Sequence, residues 1–183
     1  MSAANPFNAE RGSWRDAAPW AASWIAVDGA DARPLVAAYR LAFTLEAPVE
    51  VPLMVTADER FELFLDGRLI ARGPERGEPR AWPVHAIQVN VAAGQHVLVA
   101  RVFSLAHLAP VAQLSARHGF LLAAAGPLRD CLSTGVAPWH GRALRGWSFA
   151  MDWLTWGVGA MATIDGAQRD WLVGRAAAKA GWH

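Results

Sequence analysis

Five side chains within one short stretch have the types needed for recognition chemistry: Arg76, Glu78, Arg80, Trp82 and His85. Guanidinium groups donate in a planar fork, a carboxylate accepts, and an indole offers a flat apolar face. That set suits a sugar, whose neighbouring hydroxyls want planar polar partners and whose ring face wants an aromatic. Residues 73–79 hold two glycines and two prolines, so the stretch 72–82 reads as a loop. Loops carried by a rigid scaffold are where binding usually sits. The same side chains also fit a structural role, with Arg76 and Glu78 tying the loop to its own backbone and Trp82 in the core.

Catalytic patterns are sparse. Asp58, Glu59, Glu62, Glu75 and Glu78 cluster in sequence, and two converging carboxylates roughly 5–10 Å apart can cleave a glycosidic bond. Their neighbours Arg60, Arg72, Arg76 and Arg80 favour the simpler reading of turn and surface charges. Asp58 and Arg60 would fix the turn before a hairpin. The six histidines, His85, His96, His107, His118, His140 and His183, show no i, i+4 pair and no neighbouring cysteine pair, so no zinc site is expected. Gly157-Val158-Gly159-Ala160-Met161-Ala162 matches a loose dinucleotide pattern but lacks the flanking strand and long helix that would hold a pyrophosphate. No G-x-S-x-G elbow occurs. The single cysteine, Cys131, excludes an internal disulfide. No catalytic and no metal-binding residue is assigned.

The elements that must position these groups are strands. Tyr39, Leu41, Phe43 and Leu45 alternate with Arg40, Ala42 and Thr44, the period of a half-buried strand. Val49, Val51, Leu53 and Val55 repeat the pattern, and Pro52 within it predicts an edge strand or a bulge. Residues 60–65 and 68–71 flank Asp66-Gly67, a strong hairpin signal because both turn positions require positive φ. Residues 84–91, 96–103 and 120–124 read as further strands, and 24–27 as a short early one. Residues 105–117 could form a short helix interrupted by Pro110, and 176–180 a helical turn. About eight short strands with almost no amphipathic helix predict an all-β fold, an antiparallel β-sandwich of the jelly-roll kind.

Composition agrees with one domain. The 183 residues are 54% hydrophobic, which excludes a disordered chain. Lys plus Arg number 17 against 16 Asp plus Glu, a net charge of +1. Near-neutrality gives no reason to expect nucleic acid or an anionic membrane surface as partner. No apolar run approaches a membrane span and the N-terminus has no apolar signal region, so a cytoplasmic location is expected. Ten tryptophans beside one tyrosine are the oddity, and six of the ten lie after residue 130. Trp suits cores, interfaces and sugar faces alike.

From Tyr39 to Phe103 the sequence resembles a known family. It runs Tyr39-Arg40-Leu41-Ala42-Phe43-Thr44-Leu45, then Thr56-Ala57-Asp58-Glu59-Arg60-Phe61-Glu62-Leu63-Phe64-Leu65-Asp66-Gly67-Arg68. The loop Gly73-Pro74-Glu75-Arg76-Gly77-Glu78-Pro79-Arg80 follows, then a strand ending Gly94-Gln95-His96-Val97-Leu98-Val99-Ala100-Arg101-Val102. This resembles the N-terminal β-sandwich of bacterial α-L-rhamnosidases and related glycoside hydrolases, which share a galactose-binding-like jelly roll. The likeness covers about residues 20–182, after a lead at 1–19.

In that family hydrolysis belongs to a separate helical domain downstream, so the resemblance implies a non-catalytic domain that packs against its neighbours and binds carbohydrate. It implies downstream domains or a protein partner, and it allows calcium, for which the sequence offers no assignable ligands. A structural or partner-binding module, with exposed late tryptophans as its docking face, is the alternative. A small self-contained glycosidase is the third reading.

Overall fold

In the computed structural model, which describes residues 22–30, 34–75, 82–110, 113, 115–151 and 160–168, alternation becomes two facing sheets. The strands are β1 (Leu35–Leu45), β2 (Val49–Ala57), β3 (Arg60–Leu65), β4 (Arg68–Gly73), β5 (His85–Val91), β6 (Gly94–Ser104) and β7 (Phe120–Ala124). After one helical turn, α1 (Arg129–Leu132), come β8 (His140–Ala143), β9 (Trp147–Ala150) and β10 (Met161–Ile164). Sheet one has the order β4-β3-β6-β1-β8, sheet two β5-β2-β7, and β9 and β10 form a separate pair. Every pairing is antiparallel.

The core lies between the sheets. Ala37, Tyr39 and Leu41 of β1, Phe61 and Leu63 of β3, and Leu98, Ala100 and Val102 of β6 face Val51, Leu53 and Val55 of β2 and Phe120 and Leu122 of β7. The alternate residues of β1 and β6 are buried too. Val36, Ala38, Val97 and Val99 pack under Leu144, Phe64, Phe103, Trp147 and Phe149 on the outer face of sheet one. Trp147 meets Phe103 edge-on at 5.5 Å, so this late tryptophan is half-buried on its own sheet and does not stand free as a docking residue.

Several expectations need correction. β2 is the central strand of its sheet, not an edge. Pro52 is tolerated there because its missing N–H falls where the pairing with β7 stops: the ladder begins at Leu53–Ala124, and the Pro52 carbonyl only accepts from Ala125 N at 3.3 Å. Residues 24–27 give a single bridge, Ile25 to Phe120, in place of a strand. Among the described residues of 105–117 the helical content is one 3-10 turn, Ala106–Leu108. The lead 1–19, the helical turn expected at 176–180, Gly157 to Gly159, and Trp153, Trp156, Trp171 and Trp182 lie outside the described residues.

The Asp66-Gly67 hairpin forms as expected, with φ of 51° and 82° at the two positions. Asp66 does more than turn the chain. Its Oδ1 accepts from Val97 N at 2.8 Å and its Oδ2 meets His96 Nδ1 at 2.7 Å, clamping the hairpin to β6. This hydrogen bond holds the His96 imidazolium above its ordinary pKa.

Tyr39 ties the early chain to the sheets. Its hydroxyl accepts from Val27 N at 3.2 Å and lies 2.7 Å from His118 Nε2, while its ring stacks on Phe120 at 5.5 Å. Burial pushes its phenol well above the ordinary range. Gly141 lets β8 pass close, since a Cβ there would lie 3.1 Å from the Tyr39 ring. Tyr39→Phe removes the acceptor and leaves the half-buried Val27 N–H unpaired, which costs about 1–3 kcal/mol. Urea unfolding followed by far-UV circular dichroism measures this, with the native sheet signal expected to persist.

Candidate functional site

The ends of β2, β4 and β6 and the starts of β3, β5 and β7 meet at one end of the sandwich. The two residues between β2 and β3 are Asp58 and Glu59, each only 1% exposed. Asp58 Oδ2 accepts from Ala116 N at 2.7 Å and Arg117 N at 2.5 Å. Glu59 Oε1 accepts from Leu105 N at 2.7 Å and Ala106 N at 3.0 Å. Each carboxylate therefore grips a different part of the β6–β7 connection with one oxygen. The other oxygens, Asp58 Oδ1 and Glu59 Oε2, are buried without a hydrogen-bond partner. Glu59 also sits at φ 73°, a left-handed conformation uncommon for a non-glycine residue. These two are not the surface charges their sequence neighbourhood indicated. Glu62 does keep arginine company: it bridges Arg72 at 3.2 Å and pairs with Arg101.

Beside Glu59 lies a cavity of about 10 Å³, lined by Glu59, Pro74, Glu75, Trp82 and Gln113. That is room for one water-sized group. Trp82 is held by its indole N–H, which donates to Thr56 Oγ1 at 3.0 Å; the Thr56 hydroxyl in turn donates to Pro83 O at 2.8 Å. Trp24 stands edge-on to Trp82 at 5.7 Å and is 46% exposed. Its seat requires glycine at 119, where a Cβ would lie 2.9 Å from the Trp24 ring.

Of the five recognition residues, Arg76, Glu78 and Arg80 lie outside the described residues. Trp82 walls the cavity. His85, half-buried at the start of β5, meets Phe61 edge-on at 5.9 Å, and its ring crosses the space a Cβ of Gly73 would fill, 2.7 Å away. Glu59, Gln113 and Trp24 belong to this end as well and were not singled out as site residues from sequence. For Glu59 the available signal was an acidic pair set directly between two apolar strands. Trp24 carried no signal, because it lies some sixty residues away along the chain from Trp82. Among the described residues no three His, Cys, Asp or Glu side chains converge.

No protein-family model matches the chain, and no curated protein does either. Two solved structures resemble it. A GH78 family rhamnosidase of Bacillus sp. GL1 superposes with a TM-score of 0.76 and 24% identity, over 89% of this chain and 18% of that one. A family 35 carbohydrate-binding module from an environmental isolate aligns over 66% of this chain and 80% of its own, at 12% identity and a TM-score of 0.32, too low to carry an argument. The chain thus spans under a fifth of the rhamnosidase it matches. The fold is that of a β-sandwich contained within the GH78 enzyme.

Burial raises the Glu59 carboxyl to about 7, against the pull of the two amides it accepts from. The folded protein then keeps a proton that the unfolded chain releases near 4.5, so stability falls as pH rises from about 4.5 to about 7. His96, raised by Asp66, adds a loss of the same sign at higher pH. Glu59→Gln should remove the first limb, up to about 3 kcal/mol, and keep the second. Urea unfolding of both proteins between pH 4.5 and 8 measures the difference curve.

Proposed function

We propose that this chain is a non-catalytic, ancillary β-sandwich domain of a rhamnosidase-like glycoside hydrolase, which packs against the rest of its protein and binds carbohydrate at the loop end. The observation that carries the reading is the backbone match to a GH78 rhamnosidase over nearly the whole of this chain and a small part of that enzyme. Trp24 supplies an exposed indole for the apolar face of a sugar, braced by Trp82, and Arg76, Glu78 and Arg80, which follow Pro74 in the sequence, are the candidate planar polar groups. The carboxylates Asp58 and Glu59 are occupied in holding backbone amides, which suits a scaffold role.

A second reading, a docking module without sugar affinity, draws on a different face. Met151, Met161 and Ile164 beside and along the β9–β10 pair are 51%, 59% and 43% exposed, large apolar side chains that a partner could cover.

Isothermal titration of the intact chain with L-rhamnose and rhamnose-containing oligosaccharides tests the first reading. Saturable heat is expected, and Trp24→Ala should weaken association about tenfold by removing the stacking face. Absence of heat with every saccharide leaves the packing role alone.

A further inference from the structure

The two sheets of the sandwich end in four outer strands, β4 and β8 in sheet one and β5 and β7 in sheet two. An outer strand pairs with another chain unless charge, shortness, a bulge or a cover prevents it. Among the described residues three of the four carry such a guard. β4 holds Arg68 and Arg72 and slips in register against β3. β8 is four residues long and includes Arg142. On β7 the hydroxyls of Ser133 and Thr134 accept from Ala124 N and Leu122 N.

β5 has none of these guards. Its seven residues, His85-Ala86-Ile87-Gln88-Val89-Asn90-Val91, include no acid, lysine, arginine or proline. They run against β2 without a register shift. Pro52 reveals which main-chain groups are free. A strand residue turns its N–H and C=O to one side, and the next residue turns them to the other. Pro52 O accepts from Ala125 N beside β7, so Leu53 is turned to β5. Gln88 lies opposite Pro52 and therefore points away from β2, as do Ala86 and Asn90. Ala124, opposite Leu53 in β7, points outward by the same rule, and there Ser133 meets its N–H. At Ala86, Gln88 and Asn90 no acceptor or donor takes that place among the described residues, and all three are exposed.

This edge is complementary to itself. Antiparallel pairing about a two-fold axis at Gln88 sets Gln88 against the partner's Gln88, and Ala86 against the partner's Asn90. Each outward N–H then meets a C=O. On the inner face Ile87 falls opposite the partner's Val89, a β-branched pair of the kind that stabilises neighbouring strands. Both side chains are only half-buried at the edge, so the pairing covers them further. His85, the one titratable residue of β5, falls opposite the partner's Val91 at the strand end. No like charges therefore oppose each other across the axis.

We propose that the free edge of β5 pairs with β5 of a second copy of this chain, antiparallel about Gln88, so that two three-stranded sheets become one continuous sheet. This interface is independent of any carbohydrate binding at the loop end.

Sedimentation velocity of the full chain, from about 10 µM to about 1 mM, covers the range in which so small an interface assembles. The mass should rise toward that of two chains. Over the same range, amide hydrogen exchange should slow about tenfold at Ala86, Gln88 and Asn90, and stay unchanged at Ile87 and Val89, which already bond to β2. Gln88→Pro deletes an N–H without an internal partner, so the circular dichroism of the sheets should persist while the dimer is lost. If that variant does not fold, Gln88→Lys changes an exposed side chain only. It places two like charges at the axis and should weaken the dimer about tenfold at low salt. A monomer at every concentration overturns the proposal. So does a dimer in which Ala86, Gln88 and Asn90 exchange as in the monomer, or one that the folded variant leaves intact.

Discussion

Two adjacent carboxylates hold the loop end of this protein together. A turn of two residues between β2 and β3 would ordinarily face water. Here Asp58 and Glu59 point inward, and each uses one oxygen to fasten two backbone amides of the long β6–β7 connection. Those amides belong to irregular chain that has no ladder partner, so the acids replace the sheet as the acceptors of buried N–H groups. The left-handed φ at Glu59 is what aims the second carboxylate at Leu105 and Ala106. Once this connection is fixed, Gly119 is placed to seat Trp24, Trp24 to brace Trp82, and Trp82 to roof the cavity.

The same arrangement explains why the end is both rigid and chemically incomplete. A carboxylate has more lone pairs than two amides can satisfy. Asp58 and Glu59 each keep one buried oxygen in reserve. Glu59 also lines a small cavity, and burial raises its proton affinity into the neutral range. Structural bracing and a raised proton affinity are thus two properties of one side chain.

Much of the scaffold was legible in the residues. Alternation at Tyr39, Leu41, Phe43 and Leu45 declared the inward face of β1, and Asp66-Gly67 declared its hairpin, since both signals are local. The rank of β2 within its sheet was not legible, because Pro52 records only its own missing donor and not where the neighbouring ladder ends. Burial of Asp58 and Glu59 was hidden for a related reason. Their partners are amides 46 to 59 positions away, and an amide looks alike in every sequence. Trp82 could be placed near the site from its loop, whereas Trp24 reaches it through the bridge between Ile25 and Phe120 and the hydrogen bonds of Ser23 to Thr134.

Pro52 has a further effect at the opposite end of the sandwich. By ending the β7 ladder after five residues, it releases the chain at Ala125 into the segment that folds back over the core. Leu128, Leu132 and Ala137 of that segment close the hydrophobic interior. Ser133 and Thr134 then lie along the outer side of β7, where their hydroxyls accept from Ala124 N and Leu122 N. An otherwise open strand margin is thereby masked against pairing with another molecule. One absent backbone hydrogen so acts as a ruler: it sets a strand's length, and through that length it keeps the sheet from growing.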